Sequence, residues 1–278
     1  MTQSPLKSPT RSSDHTGASS SSASQAAKES ALLATKARCE EQMIARDYQA
    51  AYATIVDGVR DAVELYGKSA LAMVPYYLCM AEVGLELSHM NQVEEVLALS
   101  VWNLVRASEE DAANEIHTLG HRARVCKMYG RYHSECEHFD EAVKQAANGV
   151  YYSSLIHGPE HIETSTLYFT LGVIFQKMFR TEEALGMFDK VVEIWYKHLM
   201  SISNQASSDE NVERDRVATP PIEDKLCHEG ITILAHVYET RAKILGETHI
   251  ATGEAQYTKV DHRLSLPFIK PSKILPNH

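Results

Sequence analysis

Apolar residues recur at intervals of three and four positions along most of this chain. One such series is Leu167, Leu171, Ile174 and Met178. This spacing is that of an amphipathic α-helix, and no stretch shows the sustained alternation of a half-buried strand. The pattern predicts an all-α fold with ten helices, near residues 31–45, 48–66, 71–90, 92–106, 112–136, 139–157, 161–178, 182–203, 223–245 and 248–261.

Three polar or proline-containing segments interrupt this pattern. Residues 1–30 contain ten Ser and almost no large apolar side chain, so they bury too little surface to offset chain entropy, and we expect a disordered tail. Residues 201–222 are polar and end at Pro220-Pro221, which predicts an exposed loop. Residues 262–278 carry three prolines, and proline at this density predicts an extended tail.

An internal repeat is the strongest signal between the tails. Gly130 and Gly172 are 42 residues apart (172 − 130), as are Ala142 and Ala184 (184 − 142). Small residues at these positions let paired helices approach closely, and larger residues around them fill the space between the helices. The residues predicted to pack in this way are Gly130, Ala142, Leu171, Gly172, Phe175, Ala184 and Phe188. Because one hairpin cannot cover its own apolar face, several must stack.

Glycines at helix junctions form a second repeat. Gly67, Gly158 and Gly246 each follow a long helix, at separations of 91 (158 − 67) and 88 (246 − 158) residues. A glycine here can adopt the left-handed conformation that caps the end of a helix, and polar residues such as His161 and His249 can cap the next one.

Two further repeats are less regular. In residues 31–66, Cys39 takes the small position, followed by Tyr48, Ala51 and Ile55. Residues 71–106 contribute Gly84, Leu87, Val96 and Trp102, although a register starting at Ala81 fits equally well.

The repeated pattern of small and large packing residues resembles the tetratricopeptide repeat, and the match is best over residues 168–196. The consensus period of that repeat is about 34 residues, and the 42-residue spacing here (172 − 130) is similar to the longer repeats of kinesin light chains. The resemblance implies one solenoid of stacked helix hairpins over residues 31–261.

The resemblance also implies a concave face lined by the first helix of each hairpin. The residues that it places there are Arg124, Lys127, Arg131, Ser134, Thr166, Phe169, Val173 and Gln176. Three cations on one stripe could receive an acidic or C-terminal peptide. Equally, they could form a solvated face that pairs with nearby carboxylates.

Net charge and apolar run length restrict the function classes. The chain has 27 Lys+Arg against 37 Asp+Glu, for a net charge of −10, which argues against a general nucleic-acid binder. The longest uncharged apolar run, Ala70–Ala81, is too short to cross a bilayer, so we expect no membrane partner. No secretory leader is visible, and the five cysteines contain no C-x-x-C pair, so we expect reduced and mostly buried thiols.

Candidate chemistry is sparse. No phosphate-binding glycine loop occurs, and His228-Glu229 lacks the second histidine of a zinc-protease helix. Cys126, His133, Cys136 and His138 form a local metal-like cluster, but positions 126 and 133 coincide with repeat-packing positions, which favours core and turn roles. We therefore expect a non-enzymatic protein without a metal or other cofactor.

A closer resemblance appears when Gly130–Leu199 is read as a whole. The run GRYHSECEHFDEAVKQAANGVYYSSLIHGPEHIETSTLYFTLGVIFQKMFRTEEALGMFDKVVEIWYKHL is similar to the repeat region of an axonemal family of motile cilia and flagella. That family carries a MYND zinc finger ahead of its repeats in animals, whereas residues 1–38 here contain no Cys, so the finger is missing.

The axonemal resemblance implies a scaffold of the ciliary or flagellar axoneme that supports motility. Its partners would be another tetratricopeptide-repeat protein and inner-dynein-arm or microtubule-bound components. The alternative is a soluble cargo or co-chaperone adaptor that binds short peptides, which the kinesin-light-chain-like period and the cationic stripe favour.

Overall fold

The protein is all-helical in the computed structural model, which describes residues 17–110, 115–206 and 224–269. Within these ranges there are ten α-helices and one short 3-10 turn, Leu71–Met73. The helices are α1 (Gly17–Ile44), α2 (Tyr48–Tyr66), α3 (Val74–Glu86), α4 (Met90–Glu110), α5 (Glu115–Glu135), α6 (Phe139–His157), α7 (Ile162–Lys177), α8 (Thr181–Ala206), α9 (Asp224–Leu245) and α10 (Ile250–Ile269).

The first eight helices form four hairpins, α1–α2, α3–α4, α5–α6 and α7–α8. Each hairpin turns over three residues, and the middle one has a φ near +60°: Arg46, Ser88, Glu137 and Phe179. The next residue donates its backbone N–H to the carbonyl five positions earlier, as in His138 to His133 at 2.8 Å. The four turns are thus one structural motif used repeatedly.

The turns fix the repeat register. Their spacings are 42 (88 − 46), 49 (137 − 88) and 42 (179 − 137) residues. With the 49-residue interval, Ala81, and not Gly84, is equivalent to Gly130 in the repeat (130 − 81). Val93 is likewise equivalent to Ala142 (142 − 93). The register starting at Gly84 is therefore wrong, and Trp102 is 63% exposed instead of packed between helices.

The junction glycines have the positive φ that the sequence predicts, but Gly67 and Gly158 have ψ values of 152° and 159°, so they do not form the predicted left-handed caps. Gly67, Gly158 and Gly246 have φ values of +80°, +92° and +92°, at the ends of α2, α6 and α9. The His161 ring nitrogen accepts a 3.2 Å hydrogen bond from the backbone of Glu163, and His249 caps α10 in the same way. The equivalent Ala70 makes no side-chain cap.

Small side chains bring the two helices of a hairpin together. A Cβ atom at Gly130 would lie 3.2 Å from the Ala146 Cβ, and one at Gly172 would lie 2.5 Å from the Phe188 ring. Ala142, Ala184 and Phe188 are completely buried. Leu171 is buried and Phe175 is partly buried in the same layer of side chains.

The odd-numbered helices α1, α3, α5 and α7 contact one another in order, and they form what we term the inner face. Helix α9 packs on α7 and α8 and also reaches α1, so it lies across the inner face. Helix α10 packs on α8 and α9. The final pair therefore departs from the hairpin stack and covers part of the side that a regular stack leaves open.

All three of the predicted tail and loop segments are partly helical. Helix α1 begins at Gly17, so residues 17–30 are helical and not disordered, because an Ala- and Ser-rich segment can extend a helix already nucleated by packing. Helix α10 continues to Ile269, so residues 262–269 are helical and not extended. Helix α8 includes residues 201–206 of the predicted loop. The other parts of the predicted tails and loop, residues 1–16, 207–223 and 270–278, lie outside the described residues.

Candidate partner-binding groove

The eight residues assigned to the concave face all lie on α5 and α7, on the inner face. Two adjoining cavities open there, of about 480 and 630 Å³. Arg124, Lys127 and Thr166 line the smaller cavity. The larger cavity is lined by Lys127, Arg131, Ser134, Phe169 and Val173. The eighth residue, Gln176, instead makes a 3.1 Å hydrogen bond with His236 of α9.

Two of the three stripe cations are paired with carboxylates of the chain itself. Lys127 forms an ion pair with Glu229 of α9. Arg131 donates a 2.7 Å hydrogen bond to Glu86 of α3. Arg124 is exposed and forms no ion pair with a described residue. Lys127 and Arg131 are therefore paired with carboxylates of the chain, which is the alternative to peptide binding. The charge of Arg124 is open to solvent.

Helix α9 supplies a cation that the stripe did not include. The Lys225 ammonium lies 2.9 Å from Glu82 of α3 and 3.5 Å from Glu40 of α1. Glu40 also pairs with Lys36 at 2.9 Å. We refer to these groups together as the inner-face ion cluster: Lys36, Glu40, Glu82, Lys127, Lys225 and Glu229.

The ion cluster shifts the titration of its members. Burial works to raise the pKa of Glu82, but the charges of Lys225, Arg131 and Lys127 outweigh it and bring the pKa to about 2. Burial works to lower the pKa of Lys225, and Glu82 and Glu40 reverse this and raise the pKa above its usual value. Each shift favours the charged form, so Glu82 and Lys225 remain ionised at neutral pH.

The apolar end of the groove is also in contact with α9. The His236 ring meets Phe169 edge-on, with 5.3 Å between ring centroids, and it lies near Phe188. Burial lowers the pKa of His236. This end therefore combines aromatic packing with a neutral imidazole and is partly filled by the chain itself.

Sequence reasoning missed Lys225 and Glu229. They are one helical turn apart on α9, so they share a face. Their partners are far away in sequence, with Glu82 lying 143 residues before Lys225. A Lys-x-x-x-Glu spacing on an amphipathic helix was the only available signal, and it does not identify distant partners.

The metal-like cluster of the sequence is dispersed over packing and turn positions. His133 stacks on Tyr129 at 5.7 Å, and its ring lies 6.1 Å from that of His138. Across the described ranges, His, Cys, Asp and Glu side chains form no group of three or more able to hold a metal ion. In the same ranges, none of the helices has the length and apolarity needed to cross a membrane.

The chain matches no family model among known protein families.

Proposed function

We propose that this protein is a non-enzymatic tetratricopeptide-type scaffold of the ciliary or flagellar axoneme, associated with inner dynein arms and needed for motility. The observation that carries the proposal is the similarity of Gly130–Leu199 to the axonemal repeat family. One turn motif recurs at an interval of 42 residues. This interval separates the turn of α1–α2 from that of α3–α4 (88 − 46), and the turn of α5–α6 from that of α7–α8 (179 − 137). This recurrence supports a repeat architecture.

The state of the inner face favours a permanent scaffold over a reversible peptide adaptor. An adaptor needs an open groove with unpaired charges for its ligand. Here Lys127 and Arg131 already have carboxylate partners, and α9 crosses the groove. A peptide would have to replace Glu229 and Glu86, and the loss of these contacts would offset much of the binding free energy.

The adaptor remains the second candidate because of one observation. Arg124 is exposed at the edge of the 480 Å³ cavity, so an acidic side chain or terminal carboxylate could reach its guanidinium. Such an adaptor would use the end of the groove near Arg124 instead of the whole stripe.

Extraction of isolated cilia tests the axonemal proposal. A tagged chain should remain with the axoneme after detergent treatment, and cryo-microscopy of intact axonemes should show its density near the inner dynein arms. Deleting the gene should reduce motility without removing the cilia. Uniform cytosolic distribution with no axonemal density would contradict the proposal.

A peptide-binding experiment separates the adaptor from the scaffold. If the adaptor is correct, acidic peptides bind the purified chain, and Arg124→Glu weakens their binding at least several-fold. Arg60→Glu is the matched control, because Arg60 is equally cationic but lies on α2 in an exposed pair with Asp57. Equal binding by both variants, or no binding at all, excludes the adaptor.

A further inference from the structure

We propose that Cys39 and Cys79 form a redox-active dithiol site, which a peroxide oxidises to a disulfide that joins α1 to α3. This goes beyond the scaffold function and does not depend on it. The two Sγ atoms lie 3.4 Å apart, although the residues are 40 positions apart and belong to different hairpins. All five cysteines of the chain are free thiols, so the pair is present in its reduced form.

The position of Cys39 in the repeat explains how the sulfurs meet. Cys39 lies seven residues before the left-handed turn residue Arg46. The same position holds Ala81, Gly130 and Gly172 in the other three hairpins. There the small residue lets the paired helices touch, and the Cys39 sulfur likewise lies 3.5 Å from the backbone oxygen of Ala51 on α2. The packing at this contact places the Cys39 thiol against Cys79.

A disulfide requires only a short movement of the two sulfurs. Its S–S bond is about 2.05 Å long, and rotation about the Cα–Cβ bonds can shorten the present 3.4 Å separation. Cys39 and Cys79 are 0% and 3% exposed, so neither sulfur is open to thiols in solution while the chain is folded. A single buried cysteine is normally inert, and the adjacent second thiol makes this site different.

Hydrogen bonding between the thiols determines their order of reaction. The hydrogen bond from Cys79 lowers the pKa of Cys39, although burial and the charges of Glu40 and Glu82 oppose it. Lys225 of the inner-face ion cluster also favours the Cys39 thiolate. The same hydrogen bond and burial raise the pKa of Cys79. These directions favour Cys39 as the nucleophile and Cys79 as the resolving thiol.

The chemistry balances with hydrogen peroxide as the two-electron oxidant. The Cys39 thiolate attacks one peroxide oxygen, the O–O bond breaks, and the departing hydroxide is protonated to water, which leaves a sulfenic acid on Cys39. The Cys79 sulfur then attacks the Cys39 sulfur, and the S–O bond breaks. The hydroxide released takes the Cys79 proton to form a second water, so two thiols and one peroxide give one disulfide and two waters.

Peroxide reaches the site through local opening of α1. Helix α1 contacts α2, α3 and α9, but of its described side chains, residues 25–44, only Leu32 and Cys39 are buried. A helix with few buried side chains opens at lower free energy than one in the core. Once formed, the disulfide closes a 40-residue loop (79 − 39) and links the first hairpin to the second. It should therefore restrict the opening that admitted the oxidant.

The test uses the folded, reduced, full-length chain. Hydrogen peroxide is added, free thiols are alkylated, and peptides are separated without reduction for mass spectrometry. We expect a Cys39–Cys79 linkage as the main disulfide and amide exchange in residues 31–45 slowed several-fold. A thiol reductant should reverse both effects. The control variant Cys126→Ser/Cys136→Ser lacks the two half-buried thiols and should form the same linkage.

A second variant traps the intermediate. Cys79→Ser removes the resolving thiol, so Cys39 should accumulate as a sulfenic acid that reacts with dimedone. The proposal is overturned if folded wild-type protein gives no Cys39–Cys79 linkage, gives it only in urea, or joins either cysteine to another one. Because this result comes from the wild type, a variant that fails to fold does not affect the outcome.

Discussion

At the scale of the residue, the closest helix contacts depend on the absence of a side chain. Gly172 on α7 faces the ring of Phe188 on α8, and Phe188 is completely buried. Gly186, also helical, has nothing within 4 Å of an added Cβ. The two glycines therefore have opposite roles: one permits a close contact, and the other only weakens a helix.

The two glycines give a matched pair of substitutions. Gly172→Ala should destabilise the protein by about 1–3 kcal/mol, because its methyl group would overlap the Phe188 ring. Gly186→Ala should stabilise it by up to about 1 kcal/mol through helix propensity. Urea denaturation measures both. Equal effects of the two substitutions would show that the α7–α8 contact is not as described.

Glu82 should make stability depend on acid pH. Its pKa falls from 4.5 in the unfolded chain to about 2 in the folded protein, so its contribution is present above pH 4.5 and is lost as the pH falls from 4.5 towards 2. The contribution is at most about 3 kcal/mol. The stability difference between the wild type and Glu82→Gln should be constant above pH 5 and shrink below 4.5. A difference independent of pH would mean that Glu82 keeps an ordinary pKa.

At the scale of the element, α9 is the helix whose placement differs most from a regular stack. Its first half carries Lys225 and Glu229 to the inner face, whereas its second half packs apolar residues such as Leu234 and Val237 against α7 and α8. Buried Arg241 forms an ion pair with Asp189 of α8, and it donates a 2.6 Å hydrogen bond to the backbone carbonyl of Ala251 on α10. Helix α9 is thus attached by charge on one side and by apolar packing on the other.

A charge swap tests the ionic attachment of α9. Lys225→Glu should cost about 2–3 kcal/mol, because it places a third carboxylate beside Glu82 and Glu40. The double variant Lys225→Glu/Glu82→Lys should recover a large part of this loss.

The control for the charge swap is Lys190→Glu on α8, whose exposed ion pairs with Glu160 and Glu193 are worth no more than about 1 kcal/mol. Stability is measured by denaturant titration of all the variants. If the double variant is no more stable than Lys225→Glu, the Lys225–Glu82 pair does not hold α9 in place.

At the scale of the whole molecule, the ion cluster connects the two ends of the stack. A repeat array in which each unit touches only its neighbours can unfold from one end. Here Lys225 forms ion pairs with Glu40 of α1 and Glu82 of α3, while the remainder of α9 packs on the α7–α8 hairpin. Complete unfolding of the first hairpin should therefore be coupled to that of the last, whereas α1 alone can still open locally around Cys39.

Hydrogen exchange in urea tests this coupling. In the wild type, peptides from α2 and α8 should lose protection at the same urea concentration. The double variant Lys127→Glu/Lys225→Glu loses the ion pair of α5 with α9 and that of α3 with α9. In this variant, α2 should lose protection at a lower urea concentration than α8. Coincident loss in both proteins would show that α9 does not couple the ends.

The sequence by itself determined the local features of this protein. Three- and four-residue periodicity marked the helices, and Gly67, Gly158 and Gly246 marked the ends of three of them, because positive φ and close approach depend on a few neighbouring residues. The inner-face location of the eight residues from Arg124 to Gln176 was implied by the resemblance to the tetratricopeptide repeat.

Only the tertiary structure decided what fills the inner face. Lys225 meets Glu82 across 143 residues, and no local pattern specifies such a pairing. The direction of α9 depends on the packing of its other side against α7 and α8. For the same reason the sequence marked Cys39 as a small packing position, whereas its contact with Cys79 required the first two hairpins to be placed side by side.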